Sequence, residues 1–498
     1  MSSIAETFIA HAMRRPDAVC IAPHNRPAWS RHDVLNRAQS MAGRLQAAGA
    51  KVGDRVTVIV EKSPEAFVLY LACNLAGYVY HPANSGYTDA ELDYLIRDAQ
   101  PTVLVSAPER AVALAGMGDY TTLTLDQDGH GTLLEATSAD RPHYAPKPGD
   151  WAALLYTSGT TGNPKGAMLS QENLLSNAQT LAQAWRFTEA DCLLHMLPIF
   201  HAHGLFVAGN TCLCAGASLL FEPVFSPDRF FARVPEATSF MAVPTLYGRL
   251  LKDPRLTPDA VGHMRLFTSG SAPLDAVASD AFEARAGSRI LERYGMTETL
   301  MLTSNPYDGE RRAGTVGPPL PGVSLRIRTE SGALAAPGDV GIVEVKGKNV
   351  CAGYFNLPDK TREAFTEDGF LITGDIGVMS EDGYVTLQGR MSDMIISGGY
   401  NVYPREVENV LLDLNGVEEA VVFGLPHPDF GEGVVAAAIG SDPMDEQALI
   451  SAARRVLASY KTPKRILQRS ALPKNAMGKV DRKALRAEYA DLFKSEPQ

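Results

Sequence analysis

The stretch Tyr156-Thr157-Ser158-Gly159-Thr160-Thr161-Gly162-Asn163-Pro164-Lys165-Gly166 decides how the rest of the chain reads. It follows the apolar run Trp151 to Leu155, so the pattern predicts a strand over 151–159 that delivers the chain into a glycine-rich loop. Glycines let the backbone approach an anion, the hydroxyls of Thr157, Ser158, Thr160 and Thr161 add donors, and Lys165 adds a cation. Together these groups can wrap a polyphosphate. The order G-x-x-x-x-G-K-[ST] is not met, so the loop is not of the Walker A type. A fragment such as Thr160-Thr161-Gly162 alone would be an ordinary surface turn; eleven such residues behind a strand are more than that.

Working outward, the first half alternates helical and β-branched segments. Residues 52–61 read as a strand, Glu91 to Ala99 as a helix and Thr102 to Ser106 as the next strand. Such alternation predicts parallel sheets covered by helices. From about Gly314 the texture turns to short strands punctuated by Gly and Pro, at 323–329, 341–347 and 383–389, which predicts a compact β subdomain. Beyond Arg390 the order is helix (Glu406 to Leu414), strand (Glu418 to Phe423), strand (Val434 to Ile439) and helix (Glu446 to Ser459). The expected fold is therefore α/β: a large N-terminal domain, 1–391, of helix-covered sheets plus a β subdomain, then a small α+β C-terminal domain, 392–498, whose mobility is implied by the resemblance given below.

The 498 residues are 45% apolar and 21% charged, with a formal charge of −11. That suits a globular chain of more than one domain and removes the basic footprint of a nucleic-acid or anionic-membrane binder. The most apolar stretch, Leu193 to Ala208, is interrupted by Pro198 and three histidines, so it does not read as a membrane span; the apolar segment that holds His201 and His203 reads as strand-like. The N-terminal segment has no signal-peptide core, so a cytoplasmic location is expected. Six scattered cysteines suggest neither a disulfide framework nor a zinc site.

With the loop in place, further motifs follow in order: Pro198 to Leu205, Ser269 to Pro273, Tyr294 to Glu298, Thr373 to Asp375, Gly389-Arg390 and Asn475 to Lys479. This series resembles the adenylate-forming superfamily of acyl-CoA synthetases, adenylation domains and luciferases along nearly the whole chain. The resemblance implies ATP, Mg²⁺ and coenzyme A as small-molecule partners. It implies that Thr157 to Gly162 and Lys165 handle the ATP phosphates, and that Ser271, Ala272, Pro273 and the run Glu292, Arg293, Tyr294, Gly295, Met296 line the nucleotide. Thr297 would meet the α-phosphate, Glu298 would ligate the metal, Asp375 with Arg390 would take the ribose, and Lys479 would act in adenylation. It also implies a pivot at Ser392, where many relatives carry lysine in the same hinge motif, and passage of pantetheine along Ser397, Gly398, Gly399 and Tyr400.

Apart from the resemblance, a carboxylate attacking the α-phosphorus of ATP brings two anions together, so a lysine, a metal-binding carboxylate and preorganised donors are the groups that reaction demands. His201 and His203 lack a third ligand at metal spacing. The resemblance implies that His201 walls and gates the acyl site, with a core histidine as the alternative reading.

The chain is particularly similar to malonyl-CoA synthetases at 263–274, 292–323 and 398–404. A dicarboxylate needs a distal cation, and Arg265, four residues before Ser269, is the candidate; pairing of Arg265 with a local acid is the competing reading, with Arg293, Arg311 and Arg312 as fallbacks. Ala202 and Met301 are expected to bound the acyl pocket and to decide whether a 2-methyl group fits. Three alternatives remain: a CoA ligase for another short or aromatic acid, an adenylation enzyme loading a carrier-protein thiol, and a noncatalytic nucleotide binder. No stretch reads as an appended carrier domain, and Lys165, Glu298, Asp375, Arg390 and Lys479 all stand intact.

Overall fold

The computed structural model describes residues 1–157, 164–440, 443–474 and 480–494. The chain divides into two compact units, one of residues 1–325 and 345–371, the other of residues 326–344 and 372–498.

The first unit is built on two largely parallel sheets. One runs in the order Thr121–Thr124, Val103–Ser106, Arg55–Ile59, Val79–Pro82, Trp151–Thr157, Lys165–Ser170. All its neighbours are parallel except the last pair, which forms a hairpin in which Thr157 faces Lys165. The other has eight strands, with Cys192–His195, Ser218–Phe221, Ser239–Ala242, Leu266–Ser269 and Leu291–Met296 at its parallel centre. Its antiparallel edges are Leu300–Ser304 and Trp29–Ser30. The helix Pro64–Ala76 is buried along its whole length, starting from a Ser63 cap and ending at Gly77 in the left-handed region. An apolar helix with no polar face must lie inside, and its residues join both sheets in one core.

This arrangement positions the motifs. The segments after His195, Ser269 and Met296 all leave the same, C-terminal, edge of the eight-stranded sheet, where open parallel sheets bind ligands. The hairpin that flanks the glycine-rich loop stands at the corresponding end of the six-stranded sheet.

The second unit carries all but the strand ends of a four-stranded sheet, Val323–Arg328, Gly341–Gly347, Leu371–Met379 and Val385–Arg390. It also holds a five-stranded sheet led by the long hairpin Glu419–His427 and Gly431–Ile439. The helices expected near 406 and 446 run over Pro404–Leu412 and Glu446–Arg454. Ser392 lies in a 3₁₀ turn, Met391–Asp393. Among the described residues no helix is long and apolar enough to cross a membrane.

Candidate active site

Lys165 enters its strand directly after the loop, and its ammonium sits 4.9 Å from the centre of the Tyr354 ring. The Tyr354 hydroxyl in turn donates to Glu298 Oε1 at 2.9 Å. One side chain therefore links two residues that sequence reading assigned separately to phosphate and metal. Ser158, Gly159, Thr160, Thr161, Gly162 and Lys479 lie outside the described residues.

Glu298 is only 5% exposed and rides on a tight turn in which the Thr299 N–H donates to Met296 O. The turn explains the glycine of Tyr294 to Glu298: a Cβ on Gly295 would stand 1.8 Å from Leu300 O. Cys351 N–H donates to Glu298 O at 2.7 Å and pins the turn from outside. Thr297 is half-buried beside it.

The neighbouring loop is shaped by the same edge. Ser271 adopts a φ of 70°, and its Oγ lies 3.2 Å from His203 Nδ1. Leu274 N–H donates to Glu292 Oε1 at 2.9 Å, which ties the Ser269 to Pro273 loop to the next strand. His203 begins a π-helix, His203–Asn210, so the expectation of a strand-like segment around His201 and His203 is corrected. Only Cys192–His195 is strand. Apolar residues alone cannot separate a short strand from a buried helix, and π-helical turns frequently mark functional sites. His201 packs its ring against Phe200 and, with Ala202, is half-buried just before that helix. Met301 is 4% exposed, and Asn177 holds its backbone from both sides, donating to its carbonyl at 2.9 Å and accepting from its N–H at 3.3 Å.

Arg265 is the main correction. Its Nε donates to Asp191 Oδ1 at 2.6 Å and its Nη1 to Trp185 O at 2.8 Å, while Phe187 and Tyr307 pack on the guanidinium. It precedes the strand Leu266–Ser269, at the N-terminal edge, about 13 Å along the strand from Ser269 at ~3.3 Å per residue. The local acid has taken it. Among the fallbacks, Arg311 donates to Arg289 O and Tyr307 O, and Arg312 pairs with Glu310.

Arg293 differs from all of these. It is 2% exposed, and none of its three guanidinium nitrogens has a hydrogen-bond partner. The group lies against the backbone of Gly270, where an added Cβ would come within 2.2 Å of Nη1, and burial pulls its pKa down to about 10. A desolvated cation without a hydrogen-bond partner is costly, and this one stands beside the Ser269 to Pro273 loop.

In the second unit Asp375 and Arg390 face each other across paired strands, with Arg390 Nε 3.0 Å from Asp375 Oδ1. The Asp375 N–H donates to the Thr373 hydroxyl, which itself donates to Val343 O, so the threonine of Thr373 to Asp375 fixes the turn that presents the acid. Ser397 and Tyr400 pair across a two-residue hairpin whose Gly398 and Gly399 have φ of 61° and 82°. That turn by itself demands the glycines. Tyr400 is 60% exposed and stacks on Tyr460. Lys474 and Val480 form an isolated antiparallel bridge, and Arg482 donates to the buried Glu408 at 2.6 Å.

The chain belongs to the AMP-binding enzyme family, which matches residues 8–355, with the AMP-binding enzyme C-terminal domain matching 406–479. It is similar to the crystal structure of ATP-bound MatB from Rhodopseudomonas palustris, at a TM-score of 0.95 and 46% identity over 98% of this chain and 99% of that one. Among curated proteins it is 34% identical to a malonate–CoA ligase of Arabidopsis thaliana, over 91% of this chain and 81% of that protein. It is also 34% identical to a sulfoacetate–CoA ligase of Cupriavidus necator, over 96% of each. These likenesses make it an acyl-CoA ligase, and their differing names leave the acid to be argued from the site.

Tyr354 and Asn177 escaped the sequence reading. Neither sits in a motif, and each acts through a residue more than 50 positions away.

Proposed function

We propose that this enzyme ligates malonate to coenzyme A through a malonyl-adenylate. A malonate carboxylate oxygen attacks the α-phosphorus of ATP and pyrophosphate leaves; the CoA sulfur then attacks the acyl carbon, AMP leaves and the thiol proton is released. The observation that carries the malonate reading is Arg293, the buried guanidinium without a partner. A second carboxylate on the substrate satisfies it, whereas acetate leaves it unpaired. Ala202 and Met301 bound the same pocket and govern tolerance for 2-methylmalonate.

Glu298 is the residue that would hold Mg²⁺. Its buried carboxylate is a hard oxygen ligand, and no group of three or more His, Cys, Asp or Glu side chains among the described residues could complete a protein cage. The remaining ligands would come from phosphate oxygens and water, as is usual for this ion. When bound, the ion supplies neutralisation of phosphate charge. Tyr354 orients the Glu298 carboxylate, Lys165 adds a cation toward the phosphates, and Asp375 with Arg390 receives the ribose. Lys479 offsets charge between the two anions during adenylation, and a turn about Ser392 carries it away before CoA arrives along Ser397 to Tyr400.

ATP–pyrophosphate exchange with malonate, 2-methylmalonate, sulfoacetate, acetate and a long-chain acid tests the reading. Malonate-dependent exchange followed by CoA-dependent AMP release is the expected result. Exchange with acetate at an efficiency equal to malonate, or release of ADP in place of AMP, overturns it. Lys479→Ala is expected to lose exchange yet still convert synthetic malonyl-adenylate and CoA to the thioester.

A further inference from the structure

The hairpin Trp151–Thr157 and Lys165–Ser170 ends in the proposed phosphate segment, and a single helical turn elsewhere in the chain grips both of its sides. The helix Asp89–Ala99 starts at a capping box formed by Thr88 and Glu91 and buries Leu92, Leu95, Ile96 and Ala99 against the six-stranded sheet. Tyr94 and Asp98 stand four residues apart on it, so they share one face. The Tyr94 hydroxyl donates to Pro164 O at 3.1 Å. The Tyr156 hydroxyl donates to Asp98 Oδ2.

Pro164 and Tyr156 directly precede Lys165 and Thr157, the pair that closes the hairpin register. Pro164 has no N–H, so its carbonyl is the only backbone polar group by which that residue can be held. Tyr156 is further fixed by its ring, 5.0 Å from that of the buried His81, whose Nδ1 lies 2.9 Å from Thr57 Oγ1. Burial and the adjacent Asp98 both push the Tyr156 phenol up, which keeps its proton in the bond.

An acid so close to a segment meant for phosphate is electrostatically adverse, and its retention there needs a reason. We infer that Tyr94 and Asp98 are positioning residues that set where Thr157 and Lys165 stand, and through them the affinity for the ATP phosphates. The inference rests on the reading of this segment as the phosphate loop. Neither residue touches the nucleotide; each acts through Pro164 or Tyr156.

Two variants separate position from general support. Tyr94→Phe removes one hydroxyl, and the KM for MgATP in adenylation is expected to rise about threefold to tenfold. Asp98→Ala removes a charge-assisted acceptor, with an expected rise of roughly tenfold to a hundredfold, while Asp98→Asn keeps an oxygen acceptor and recovers most of the loss. The thioester half-reaction, started from synthetic malonyl-adenylate and CoA, involves no triphosphate and is expected to stay at the wild-type rate in all three. Equal losses in both half-reactions, or no change in adenylation, overturn the inference. Calorimetric titration of wild type and Tyr94→Phe with MgATP alone gives a readout independent of the acid: weaker binding by the variant upholds the inference, and identical binding overturns it. A wild type that binds MgATP but releases no AMP with malonate refutes the malonate reading alone.

Discussion

The two edges of the eight-stranded sheet treat their arginines in opposite ways. At the N-terminal edge Arg265 is enclosed by Asp191, a backbone carbonyl and two aromatic rings. Burial alone would raise the Asp191 pKa, but the bond from Arg265 and donors from Thr188 and Thr238 outweigh it, so the carboxylate is held below its ordinary value. At the C-terminal edge Arg293 is more deeply buried and has no partner. A cation whose charge is answered within the fold serves the fold. One that is buried without a hydrogen-bond partner costs stability, and the proposed malonate site gives that cost a reason.

The largest expected effect is on selectivity. Arg293→Met should lower kcat/KM for malonate by about 2–5 kcal/mol, or roughly thirtyfold to several-thousandfold, and leave the weak turnover of acetate nearly unchanged. Steady-state kinetics with both acids decide it. Parallel losses would erase the distinction between the edges, because Arg293 would then be supporting structure as Arg265 does.

Next comes stability at the other edge. Arg265→Met leaves Asp191, 6% exposed at its side chain, without its cation. A loss of about 2–3 kcal/mol follows, somewhat less than for a fully buried pair because Arg265 is itself 23% exposed. Urea unfolding should register this, with the malonate-to-acetate ratio unaltered; a changed ratio would return Arg265 to the acyl site.

A pH scan sharpens the contrast without mutation. His195, which ends a strand at the C-terminal edge with Nε2 2.8 Å from Gly204 O, and His81 under the hairpin are each fully buried. Burial lowers both pKa values from 6.5 to about 3. Below 6.5 the unfolded chain binds protons that the native chain refuses, so their contribution is complete above 6.5 and is lost as pH falls toward 3. The slope is about 1.4 kcal/mol per pH unit for each histidine. The Arg265–Asp191 pair is indifferent over pH 7 to 5, because Asp191 stays ionised. The wild-type melting temperature should therefore fall across that range from the histidines alone, whereas in Arg265→Met, where burial raises the freed Asp191 carboxyl, the gap to wild type should narrow on acidification; a constant gap would mean that Thr188 and Thr238 suffice to hold Asp191 ionised.

The smallest effect has the opposite sign. Arg293→Met, expected above to lose malonate turnover, should gain about 1 kcal/mol of stability in the ligand-free enzyme, since it removes an unpaired buried charge and retains volume. A destabilised variant would show that Arg293 is answered by its surroundings after all.

The local structure of the motifs was legible because it is set by near neighbours. Gly295 is required by a turn that closes within five residues, and Thr373 acts on Asp375 two residues away. The alternation in the first half foretold helix-covered parallel sheets because hydrophobic period and strand length are properties of neighbouring residues. The segment around His203 misled, since a run apolar on all sides has no face to report and a π-helix has no compositional mark.

The sequence by itself determined the family and the α/β fold class, since the family resides in short ordered motifs and the fold class in the hydrophobic period of neighbouring residues. Only the tertiary structure decided which arginine was available. Arg265 and Asp191 are 74 positions apart, Tyr354 and Glu298 are 56, and Tyr94 and Pro164 are 70. A long side chain takes whichever partner the packed sheets bring within reach, and that partner lies on a strand, helix or loop remote in the chain. Burial, which sets apart a guanidinium without a hydrogen-bond partner from a surface charge, exists only once the core has closed around it.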